Sequence, residues 1–153
     1  MPSFSNIQRV NHPARDMFSL VADVEKYPQF VPLCQALHVR GRKELGNGRS
    51  VLVADMTVAY KMFKETFTSR VELVPDEHKI LVQYLDGPFR HLDNQWTFTD
   101  QGEGQCDVGF FIDYEFKSRA LGTLMGAMFD KAFRKFSKAF EERADAIYGT
   151  QRI

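Results

Sequence analysis

The chain has 153 residues, with 20 Lys+Arg balanced by 20 Asp+Glu and with 14 phenylalanines. That length fits one domain, expected to run over residues 1–150 and to need neither disulfides nor a structural metal. Zero net charge argues against a dedicated duplex-binding protein, which needs surplus positive charge to displace counterions, so DNA is not an expected partner.

Ser3 to Val10 reads as an opening strand through Phe4, Ile7 and Val10. Pro13 then starts a helix, since proline suits the first turn, and Ala14, Met17, Phe18 and Val21 give it one apolar face. Asp23 is placed to cap a second short helix, Val24 to Lys26, that Pro28 stops. Tyr27 to Cys34 follows as an aromatic, apolar loop stiffened by Pro28 and Pro32.

From there to Phe116 the chain reads as strands and turns. Asn47-Gly48 is a hairpin signal, and Pro75 to His78, Asp86 to Pro88 and Asp100 to Gly102 supply further turns. Ser50 to Val74 is too long for one strand, and its reversal is expected near Ala59 to Phe63. Period-two segments lie between the turns: Phe63, Phe67, Val71 and Leu73; Ile80, Val82 and Tyr84; Leu92, Trp96 and Phe98; Val108 to Phe116. Successive hairpins imply an antiparallel meander with one buried face. Ser118 to Tyr148 is the dominant helix, with Ser118 as N-cap and Gly149 as C-terminal stop. Leu121, Met125, Met128, Phe129, Ala132, Phe133, Phe136, Phe140 and Ile147 share its apolar face, opposite Lys131, Arg134, Lys135 and Lys138.

Val21 to Pro28 with Phe30-Val31-Pro32-Leu33-Cys34, Asp86 to Leu92 with Asn94-Gln95-Trp96 and Phe98, and the long terminal helix together carry a resemblance. The chain resembles the START-like superfamily, in its coenzyme Q-binding and polyketide cyclase-like branch. The resemblance implies an α+β helix-grip fold: a seven-stranded antiparallel curved sheet around a long C-terminal helix, two short helices after the first strand, and a lipid-sized cavity. It also implies ubiquinone-type lipid binding in support of respiration. A ribosome-directed toxin that blocks subunit joining is the alternative, and a cyclase-like enzyme the third.

Given that cavity, the expected ligand-binding residues are Phe30 near the mouth, Phe67, Trp96, Phe110, Ile112, Leu121, Met125, Met128, Phe129 and Phe133, with Asn94 for a polar head group. Glu65 also looks inward by strand parity. Burying one CH₂ contributes about 0.8 kcal/mol, so an isoprene unit supplies roughly 3–4 kcal/mol. Micromolar affinity needs about 8 kcal/mol, which a few buried units meet without catalytic groups. The histidines lack ligand spacing, Cys34 has no sequence neighbour that marks it as a nucleophile, and no phosphate-cradling glycine loop is present. No catalytic residue, metal or cofactor is therefore expected beyond the ubiquinone-like ligand. Tyr60 to Lys64 is a candidate bilayer contact, and the basic row on the last helix a candidate contact for anionic lipid or ribosome. Two isolated cysteines, Met1 to Val10 without an apolar core, and no bilayer-length apolar run fit a cytoplasmic protein, peripheral at most on the inner membrane.

Overall fold

Alternating inward and outward side chains commit most of the chain to hairpins, which the computed structural model, describing residues 3–149, joins into one curved antiparallel sheet. The strands are β1 (Ser3–Val10), β2 (Cys34–Gly46), β3 (Arg49–Tyr60), β4 (Phe63–Val74), β5 (Lys79–Asp86), β6 (Phe89–Gly102) and β7 (Gln105–Phe116). Their order across the sheet is β1-β7-β6-β5-β4-β3-β2. Helix α1 (Ala14–Ala22) and a 3-10 turn (Val24–Gln29) follow β1, and the long helix α2 (Arg119–Tyr148) closes the chain. This is the helix-grip arrangement expected from the sequence.

The hairpins fall where backbone chemistry allows them. Asn47 and Gly48 both take positive φ, 56° and 78°, as a two-residue turn matched to strand twist requires. The reversal expected near Ala59 to Phe63 lies at Lys61-Met62. The Asp100 to Gly102 expectation needs correction, because β6 runs through Gly102 and the turn is Glu103-Gly104, with φ of 55° and 74°. Asp100 is used elsewhere: its Oδ1 accepts the Ala14 N–H at 2.8 Å and so caps α1 from across the fold. Pro13 is accordingly the flanking residue of α1 and not part of its first turn.

Other local expectations also shift. Pairing with β7 turns Ile7 outward, 75% exposed, while Asn6 and Gln8 face α2 and donate to Ser137 (2.8 Å) and Glu141 (2.7 Å). Phe4 and Ile7 are three residues apart, so a period of two sends them to opposite faces. The Asp23 side chain makes no cap bond. The turn also continues past Pro28 to Gln29, since the Tyr27 carbonyl accepts from the N–H groups of Phe30 and Val31.

Helix α2 has the expected ends. Ser118 Oγ accepts the Leu121 N–H at 3.2 Å, and Gly149, with φ of 81°, donates to the Asp145 carbonyl. Ile147 is an exception on its face, 51% exposed. In the last two turns the neighbour of α2 is α1, so the inward stripe rotates to buried Ala144 and half-buried Tyr148, whose hydroxyl donates to the Asp16 carbonyl. Buried His12 holds the same corner, its Nε2 lying 2.7 Å from Asp145 Oδ1.

Candidate ligand-binding cavity

Helix α2 crosses the concave face of the sheet and lies against β1 and β7. Rings fill that side. Trp96 meets Phe110 at 4.7 Å and Phe140 at 5.0 Å, Tyr114 meets Phe133 at 5.5 Å, and Phe116 meets Phe129 at 5.2 Å. Between α2 and the other strands the side chains stop short of one another and leave a partly open cavity of about 130 Å³.

Its wall follows from strand parity. Leu37 of β2, Ala54, Met56 and Val58 of β3, Phe67, Ser69 and Val71 of β4, and Ile80 and Val82 of β5 project from the sheet. Phe89, Leu92, Asn94 and Trp96 of β6 and Phe110 and Ile112 of β7 complete it. Phe129, Ala132, Phe133, Phe136 and Phe140 come from α2, at the three- and four-residue spacings of one helix face. Gly87 sharpens this wall: its φ is 144°, and a Cβ there would stand 2.5 Å from Phe67 Cβ, so only glycine lets the β5–β6 turn sit against that ring.

The roof is the 3-10 turn and the loop after it, through Val24, Tyr27, Val31, Pro32 and Leu33. Tyr27 and Phe30 stand edge-on to Phe140 at 5.5 and 5.0 Å. The Tyr27 hydroxyl donates to the Val21 carbonyl; burial, then the neighbouring Cys34 and Asp23, push the phenol pKa up. Arg143 clips the roof to α2, with its guanidinium 5.1 Å from the Phe30 ring centroid and a hydrogen bond to Gln29. Burial raises the Cys34 thiol to about 11, so it packs as a small apolar group without thiolate character.

Of the residues the sequence nominated, Phe67, Asn94, Trp96, Phe110, Ile112, Phe129 and Phe133 come together on this wall. Phe30, Leu121, Met125 and Met128 do not. Phe30 lies behind the roof, between Phe140 and Arg143. Leu121, Met125 and Met128 lie N-terminal to the helical turns that line the cavity; Gly122 lies over Phe116, and Met125 is 2% exposed within solid packing. Glu65 is also outside the wall. Sequence reasoning passed over the aliphatic residues of β2 and β3 and Ser69. Ser69 shares parity with Phe67 and Val71, a signal that was available.

Two polar side chains interrupt the apolar wall. Asn94 donates from Nδ2 to the Phe111 carbonyl at 2.8 Å. Ser69 is 6% exposed, and its Oγ has no partner among the described residues. No Asp, Glu, Lys, Arg, His or Cys is among the described lining residues. Among the described residues no group of three or more His, Cys, Asp or Glu is placed to hold a metal ion, and no helix is long and apolar enough to cross a membrane.

Known proteins agree with this geometry. Residues 10–141 match the family described as polyketide cyclase / dehydrase and lipid transport. The chain is similar to Ribosome association toxin RatA of Escherichia coli, 31% identical over 151 residues that cover 99% of this chain and 92% of the relative. It is similar to Coenzyme Q-binding protein COQ10 homolog B, mitochondrial, of Xenopus laevis, 29% identical over 154 residues that cover 98% of this chain and 61% of the relative. The solution structure of an 18 kDa protein from Caulobacter crescentus superposes with a TM-score of 0.81 at 31% identity, covering 98% of this chain and all of the other. The chain, a seven-stranded sheet around a long helix with an apolar cavity between them, belongs to the polyketide cyclase / dehydrase and lipid transport family.

Proposed function

We propose that this protein binds an isoprenoid quinone, ubiquinone-like, or a similar lipid in the cavity. It acts as a carrier or chaperone that supports respiratory electron transport, in the cytoplasm and peripherally at the inner membrane. The observation that carries this reading is the wall itself: nearly all aromatic and aliphatic, with no acid or base among its described residues. Such a site recognises shape and oil, and about three buried isoprene units exceed the roughly 8 kcal/mol of micromolar binding, leaving a margin for ordering costs. At about 130 Å³ the cavity is smaller than the roughly 300–1,000 Å³ of small-molecule sites, so the wall gives way as the lipid enters. The roof, outside the strand ladders and clipped to α2 through Arg143, is the part that swings.

The chain has one tryptophan, Trp96, and it lies on the wall, so a bound quinone quenches its fluorescence. Titration with a decyl-tailed ubiquinone analogue is expected to quench saturably at micromolar concentration. Native mass spectrometry of protein from its own host is expected to show a co-purified quinone. Absence of both overturns the reading.

A second reading is a ribosome-directed protein, favoured by the RatA-named relatives and by the exposed row Lys131, Lys135 and Lys138 on α2. Arg134 in this row pairs with Asp130 at 2.9 Å and lies over Phe4. Reversing the charge of these four residues separates the two. Loss of ribosome association with quinone binding intact favours the second reading as the main function.

A further inference from the structure

We propose that Ser69 is the polar anchor of the cavity, its hydroxyl donating a hydrogen bond to an oxygen of the ligand. The site would then select lipids that carry a carbonyl oxygen over pure hydrocarbons of the same shape. This deepens the lipid-binding reading above and rests on it.

A hydroxyl buried without a partner forgoes a hydrogen bond and keeps its desolvation cost, so an orphan on an otherwise apolar wall calls for a partner from outside the chain. Ser69 sits between Phe67 and Val71 on the inward face of β4, at the irregularity where Thr68 pairs with Asp86 and Ser69 with Tyr84. Its neighbours are satisfied. Thr68 donates to Asp55 at 2.6 Å, and the Tyr84 hydroxyl accepts the Phe89 N–H at 3.0 Å. The Ser69 hydroxyl alone among them is buried without a partner, on a residue that lines the cavity.

Asn94 is the poorer anchor, since its amide already donates to the Phe111 carbonyl. The two groups also stand apart. Val71 pairs with Val82 and Val82 with Asn94, so β5 separates the strands that carry Ser69 and Asn94. At about 4.8 Å per strand they are roughly 10 Å apart across the sheet, too far for one ring oxygen to serve both. A carbonyl placed at Ser69 leaves the rest of the ring and its tail against Phe67, Val71 and Val82.

The test uses the full chain, Ser69→Ala and Ser69→Cys, with two probes. One is the decyl-tailed ubiquinone analogue, read by Trp96 quenching. The other is an alkylbenzene of equal tail length with no oxygen, read by calorimetry. Ser69→Ala is expected to weaken the quinone about 3- to 10-fold and to leave the alkylbenzene unchanged or tighter. Ser69→Cys, nearly the same size with a weak donor, is expected to follow Ala. The melting temperature of the ligand-free Ser69→Ala variant is expected to hold or rise, which shows that the loss is not misfolding. Equal weakening of both probes, or an unchanged preference between them, overturns the anchor while the lipid reading stands. If neither probe binds the unaltered protein, the cavity reading fails and the anchor with it.

Discussion

Strands β1, β7 and β6 meet α2 through rings, whereas β2, β3, β5 and all of β4 but Phe63 at its start face it across a void. Phe110, Tyr114 and Phe116 project far enough to touch Phe133 and Phe129, with centroid separations of 5.2 to 6.1 Å. Ala54, Val58, Val71 and Val82 point the same way from the other strands and are too short to reach. Phe67 is the one ring among the β2–β5 lining residues, and it turns sideways onto Phe89 at 5.4 Å. The lesson is that the size of the inward side chains, strand by strand, sets where the grip closes and where it stays open.

The largest way to break this contrast is to hollow the filled half. Phe98 is 3% exposed, stacked beside Trp96 and edge-on to Phe18, and is not on the cavity wall. Phe98→Ala is expected to cost about 3–5 kcal/mol in urea unfolding, because the surrounding rings cannot collapse into the gap.

Filling is the complementary test, with effects of opposite kind in the two halves. Ala144 is fully buried where α2 meets α1, and Ala144→Leu should cost about 1–3 kcal/mol by overpacking. Ala54 faces the void, so Ala54→Leu should change stability by less than about 0.5 kcal/mol while weakening quinone quenching at least about 10-fold. If Ala54→Leu destabilises as much as Ala144→Leu, the void is not available space.

The two thiols report how firmly each half is held. Burial raises Cys34 to about 11 and Cys106 to about 12, so neither is a thiolate at neutral pH and labelling waits for opening. Cys34 begins β2 beside the roof, whereas Cys106 is paired with Val10 inside the ring-filled half. At pH 8 a thiol reagent should label Cys34 at least about 10-fold faster than Cys106, and added quinone should slow Cys34 alone. Equal rates would mean that the roof opens only with the whole fold.

The smallest expected effect concerns the convex face of the hollow half. Hydrogen bonds from Arg40 at 2.8 Å and from Thr68 hold the Asp55 carboxyl below its ordinary pKa. A depressed carboxylate stabilises the fold above its unfolded value, about 3.9, and that contribution disappears as pH falls through the lower folded value. Asp55→Asn should therefore lower the urea midpoint by at most about 0.5 M at pH 7, with the difference shrinking toward pH 3. A difference that grows on acidification contradicts the assignment.

Much of this was legible in local pattern. The Asn47-Gly48 turn, Ser118 and Gly149 at the ends of α2, and the inward set from Leu92 to Phe116 are short-range signals, each read from a few neighbouring residues. The cavity was legible only in part. Phe129 and Met125 share one helix face and one chemistry, yet the first lines the void and the second is sealed one turn before the cavity begins. Asp100 reads as a turn former in sequence and serves as the cap of a helix 86 residues away.

The chain's own periodicities thus determined which segments are strands and helices, where they turn, and which face of each is apolar, since those depend on residues two to four apart. The tertiary structure alone decided how far α2 stands from each strand, which helical turns meet the void, and that Ser69 is the hydroxyl left without a partner. Those outcomes depend on gaps between surfaces distant in sequence, and no local repeat encodes a gap.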